Sequence, residues 1–121
     1  METLLERLRA WGCAVGDTLR NLDGDAELYV RCVRMFARDN NFDALTQALQ
    51  AGDTTAVFEA AHTIKGVAGN LGLSPLFSLS SALSDLARPG QPEPDPEQLR
   101  AMGAPLLESY GEFCTRVEDK A

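Results

Sequence analysis

Wherever apolar residues recur regularly in this chain they recur every three or four positions, and no segment alternates apolar with polar. Such spacing belongs to α-helices, whose side chains return to one face about every 3.6 residues, and not to strands. The first stretch places Leu4, Leu5, Leu8 and Trp11 at this spacing before meeting Gly12 and Gly16. A short piece from Val15 to Leu22 follows, ending at Asn-Leu-Asp-Gly-Asp (21–25). Asp25 is placed to cap a third helix, whose wide apolar face reads Leu28, Cys32, Met35 and Phe36, flanked by Tyr29 and Val33. Asn41 is placed to cap a fourth, carrying Phe42, Leu45, Ala48 and Leu49. Gly52-Asp53 then marks a joint, with glycine suited to the left-handed position after a helix and Asp53 to the next N-cap.

The fifth helix carries the stripe Val57, Ala61, Ile64, Ala68 and Leu71. Ser74-Pro75 is expected to restart the chain as N-cap and first helical residue, opening a helix with Leu76, Leu79, Leu83 and Leu86 on one face. The stiff segment Gln-Pro-Glu-Pro-Asp-Pro (91–96) leads to a capping box, Asp95-Pro96-Glu97-Gln98. The last helix reads Leu99, Met102, Leu106, Tyr110, Phe113 and Val117, and Pro105 is expected to kink or split it near residue 101. The fold class is therefore all-α: an antiparallel helical bundle with short connections and additional short N-terminal helices. A chain of 121 residues reads as a single domain (1–121), with residues 1–14 an accessory helix and 15–121 the bundle. Covering an end of the bundle is the preferred reading of that first helix, over a docking role.

Charge and composition remove several functions. Eighteen acidic against 11 basic residues, a net charge of −7, would repel a phosphate backbone, so nucleic acid is not an expected partner. No apolar stretch approaches the ~18 residues of a membrane span, and the start lacks the order of a secretory signal. Cys13, Cys32 and Cys114 have neither disulfide nor zinc spacing, which fits a reducing cytosol and small core residues. A cytoplasmic monomer is expected, free-standing because it opens on Met without a leading linker. With one histidine and scattered cysteines, no metal site is expected. No nucleophile elbow, Walker motif or dinucleotide glycine motif occurs, so the chain has no site for ATP.

One helix breaks the rules of helix composition. Gly66 and Gly69 lie inside the segment 57–71, each costing about 1 kcal/mol against alanine. With the core stripe at the origin, Phe58, His62, Lys65 and Gly69 fall at roughly 80–140° around the helix and Gly66 near 180°. The only histidine thus stands on a flank beside a lysine and two positions without side chains. Bare backbone beside a reactive side chain lets another molecule come close. An imidazole, titrating near about 6.5, is substantially neutral at pH 7 and is a nucleophile without help from a base. Once phosphorylated, its added negative charge would be offset by Lys65 at i+3. Spacing alone supports a bland surface histidine with a solvated lysine equally well; the glycines favour the reactive reading.

The string Ala61-His62-Thr63-Ile64-Lys65-Gly66-Val67-Ala68-Gly69-Asn70-Leu71-Gly72 closely resembles the signature of histidine-containing phosphotransfer (HPt) domains. The resemblance continues upstream through Leu22–Tyr29, Phe36 and Leu49–Asp53, and downstream through Leu76 and Leu83, covering roughly residues 15–88 plus a consistent final helix. It implies a four-helix bundle in which His62 takes a phosphoryl group from the aspartate of a response-regulator receiver domain and passes it to another. Lys65 would steady the phosphate, and Phe58, Gly66, Gly69 and Ser84 would meet the partner. Receiver domains and a sensor or hybrid histidine kinase are the implied partners, the receiver supplying Mg²⁺, with no cofactor held by this chain. In one respect the sequence departs from the family. Many members carry Glu or Gln after the leucine of the next helix, where it reaches the histidine ring; here Leu83 is followed by Ser84, leaving that task to a water or to Asp85. A non-catalytic helical module that docks receiver domains is the alternative; the intact His62–Lys65–Gly66 trio argues for the carrier.

Overall fold

The computed structural model describes residues 3–118, which form seven α-helices and no strand. These are α1 (Leu4–Ala10), α2 (Val15–Asn21), α3 (Ala26–Ala37), α4 (Asn41–Ala51), α5 (Thr54–Asn70), α6 (Ser74–Leu86) and α7 (Pro96–Glu118). Helix α4 packs on α5, α5 on α6, α6 on α7, and α7 back on α4, closing a four-helix ring. Short connections between successive helices make neighbours antiparallel. The ring closes within residues 41–118, so α2 and α3, read from sequence as part of the bundle, flank it instead: α3 lies along α7, and α2 bridges α1 and α3.

Most of the expected caps are in place. Asp25 accepts from the Leu28 amide (3.0 Å) and Asp53 from that of Ala56 (3.1 Å). Asp95 and Gln98 exchange the two bonds of a capping box, at 2.9 and 3.0 Å. Gly52 closes α4 at φ 68°, the left-handed position. Two caps differ. The α4 N-cap is Asn40, and Asp39 holds the turn by accepting from both the backbone and side-chain nitrogens of Asn41. Helix α6 starts one residue early, with Leu73 as N-cap, Ser74 already helical and Pro75 behind it.

One apolar core runs from Leu4 to Val117. All five stripe residues of α5, Val57, Ala61, Ile64, Ala68 and Leu71, are buried in it. The face of α3 is rotated from the sequence expectation. Tyr29, Val33 and Phe36 are buried, while Met35 is 66% exposed and Leu28 and Cys32 only half-buried. Two short buried faces were available on this helix, and the aromatic pair won, because Phe36 meets Phe42 and Phe113 at 5.5 and 5.9 Å between centroids. Cys13 is buried, whereas Cys32 and Cys114 are half-buried; all three are free thiols. Helix α7 runs unbroken through Pro105. Pro105 and Ala101, whose carbonyl loses its partner there, both face solvent, where water can take the missing donor's place.

Helix α1 covers the end of the bundle. Leu4 and Leu8 are buried, Trp11 stacks on Phe113 at 6.1 Å, and Arg116 sits 4.8 Å over the indole. The Arg7 guanidinium donates to the Arg116 carbonyl at 2.9 Å. This end is tied to α5 as well. The Tyr29 hydroxyl donates to the Leu71 carbonyl (2.7 Å) and the Ala14 amide to that of Gly72 (2.8 Å).

Candidate functional site

Helix α5 carries the candidate site, and its composition gives it two unlike sides. Its small core residues, Ala60, Ala61 and Ala68, let α4 and α6 approach closely, leaving the opposite flank free of packing duties. On that flank His62 is exposed, Phe58 and Lys65 are half-buried, and Gly66 and Gly69 are exposed. The imidazole of His62 stacks on the phenyl ring of Phe58, 5.3 Å between centroids and 17° between planes. It makes no hydrogen bond or ion pair with any described residue. Side chains on a helix lean toward its N-terminus, which is why His62 meets the residue one turn before it rather than Lys65 one turn after.

The hydrogen bond from Arg88, with a lesser contribution from the charge of Lys65, holds the Asp85 carboxyl below the usual carboxylate range. Arg88 and Asp85 are paired at 2.6 Å on the surface. Sequence reading found Lys65 but not Arg88; its position just past the end of α6 gave no periodic signal.

The two glycines are not equivalent. A Cβ on Gly66 would meet nothing within 4 Å, so the backbone there is open to an approaching molecule. One on Gly69 would stand 3.2 Å from the Phe77 ring of α6, so this position is already roofed by a side chain of the same chain. Phe77, 39% exposed, extends the surface that the sequence assigned to Gly69.

Ser84 does not belong to the exposed surface. It is fully buried against α5, and its hydroxyl has no partner. In α6 the residues facing inward are Leu76, Ser80, Leu83 and Ser84, so 84 lies on the core side of the helix and cannot touch a docking partner. Nor does it reach His62. Asp85, the other candidate to orient the ring, is engaged with Arg88.

Among the described residues, no three histidine, cysteine or acidic side chains gather to hold a metal ion, and no helix is long and apolar enough to cross a membrane. The family model described as Hpt domain matches residues 37–119, more than half of the chain. The match takes in the final helix that the sequence resemblance treated as merely consistent, and leaves out residues 15–36, which that resemblance had included. No curated protein and no solved structure gives a significant match. An all-helical bundle, matched from the end of α3 through α7, places the chain in the Hpt domain family, whose members carry phosphoryl groups on histidine in phosphorelays, between kinases and response-regulator receiver domains.

Proposed function

We propose that His62 is the phosphoacceptor, receiving a phosphoryl group from the aspartate of a receiver domain and returning it to another. The observation that carries this reading is the exposed imidazole at mid-helix beside the open backbone of Gly66. The lone pair of a neutral ring nitrogen attacks phosphorus, the P–O bond to the aspartate breaks, and the carboxylate leaves with its electron pair. The other ring nitrogen keeps its proton. Nothing in this exchange requires the chain to bind a nucleotide, and the metal ion that screens the receiver's phosphate belongs to the receiver's site.

Lys65, one turn on from His62, supplies positive charge where negative charge arrives. Phe58, Gly66, Gly69 and Phe77 form the surface that a receiver would contact. A module that only docks receivers has no use for an exposed imidazole, free of hydrogen bonds to described residues, at the centre of that surface.

Incubating the protein with a panel of radiolabelled phospho-receiver domains tests the proposal. The expected label is stable in base, labile in acid, and absent from His62→Gln. Label retained in His62→Gln, or no transfer from any receiver that binds, would overturn it.

A further inference from the structure

Among the described residues, the His62 ring makes one ring contact and no hydrogen bond or ion pair. Phe58 lies under it in a near-parallel stack, and no described side chain hydrogen-bonds to it. Phe58 is the fixed member of the pair, half-buried and packed against the core next to fully buried Val57 and Ala61. The side chains that the sequence offered for orienting the ring do not do so: the Ser84 hydroxyl is sealed in the core and Asp85 is paired with Arg88.

An exposed histidine with no partner would sample several χ1 and χ2 wells, most of them unproductive. Stacking limits that freedom in a way a hydrogen bond does not. The lone pair of an imidazole nitrogen lies in the ring plane, so a neighbour on the ring face fixes the plane and leaves both nitrogens free. A carboxylate or amide partner, by contrast, would occupy one of them.

The geometry points to Phe58 as a positioning residue for the phosphoacceptor: its ring presets the plane of the His62 imidazole by stacking, in place of a hydrogen bond from α6. This rests on the reading of His62 as phosphoacceptor. It assigns Phe58 an effect on the chemical step itself, beyond any contact with a partner.

The test compares wild type with Phe58→Leu, which keeps an apolar side chain against the core but has no ring, and Phe58→Tyr, which keeps the ring. Two donors are used: a saturating phospho-receiver domain, and phosphoramidate, a small donor that releases ammonia and needs no docking surface. Stacked aromatic pairs are worth enough that Phe58→Leu should slow the maximal rate by about threefold to tenfold with both donors. Phe58→Tyr should restore it. The His62 ring protons should show an upfield ring-current displacement in wild type and Phe58→Tyr that is lost in Phe58→Leu. A Phe58→Leu effect confined to the half-saturating receiver concentration would make Phe58 a docking contact and overturn the proposal. Equal losses in both variants would also overturn it. A wild type that takes no label from either donor would fell the phosphoacceptor reading itself, a different outcome from a labelled wild type whose rate is indifferent to Phe58.

Discussion

The phenyl ring of Phe77 lies 3.2 Å from where a side chain on Gly69 would begin, while a side chain on Gly66 would begin in open space. Two glycines one turn apart on one helix are thus bare for different reasons. Gly66→Gln should fold normally, gain up to about 1 kcal/mol in thermal or urea unfolding, and lose phosphotransfer because its side chain projects into the partner. Gly69→Ala should change stability by less than about 1 kcal/mol, the helix gain being offset as the exposed Phe77 ring tilts away. Gly103→Ala makes the contrast. Its Cβ would fall 2.6 Å from a buried Leu49 methyl, and it should destabilise by about 1–3 kcal/mol. Equal transfer rates in wild type and Gly66→Gln would remove the steric role.

His62 and Lys65 should separate cleanly in single-turnover transfer. His62→Gln should abolish labelling without a change in melting temperature, since the ring is exposed. Lys65→Ala should slow transfer by about tenfold, since an exposed charge pair contributes of order 1 kcal/mol. That loss should shrink at high salt. Complete loss in both variants would mean that Lys65 does more than offset charge.

Ser84→Ala should stabilise the protein by about 1 kcal/mol, because it removes a buried hydroxyl that has no partner. Transfer should be unchanged, since this side chain reaches neither His62 nor the surface. Denaturant midpoints and transfer rates measured on the same preparation decide both points.

Alkaline pH should loosen the bundle from its capped end. Burial raises the Cys13 thiol from 9.0 to about 11 and the Tyr29 hydroxyl above its ordinary value. A group whose value is raised by folding contributes fully below its unfolded value and loses that contribution as pH rises through the folded one. For Cys13 the window runs from about pH 9 to 11 and covers roughly 2–3 kcal/mol. Stability measured across that window should fall less steeply in Cys13→Ala than in wild type.

The candidate site was legible because its signal is local. His62, Lys65 and the two glycines share one helix, and a helix wheel places them on one flank without any knowledge of the neighbours. What the wheel could not deliver depends on a second helix. Ser84 follows a core leucine in α6, and only the packing against α5 decides that 84 turns inward while 77 turns out over Gly69. The α3 face failed for a similar reason. Leu28–Cys32–Met35 and Tyr29–Val33–Phe36 are both valid helical stripes, and the choice lies with Phe42 and Phe113, distant in sequence. Pro105 was misjudged because a lone helix offers no reason to expect its orphaned carbonyl to face water.

The bonds from Tyr29 to Leu71 and from Ala14 to Gly72 bear on where this protein can be divided. The part recognisable as an Hpt domain begins at residue 37, yet the last turn of the histidine helix is fastened by residues 14 and 29. Gly72, at φ 68°, fits beneath the Ala14 carbonyl and the Thr18 hydroxyl only because it lacks a side chain. A fragment cut at the recognisable boundary would leave these carbonyls to water and strip Leu8, Val15 and Val33 from the apolar interior. The segment that matches the family and the cooperative unit are therefore different lengths of chain, and the N-terminal helices act as the clasp that keeps the histidine helix wound to its end.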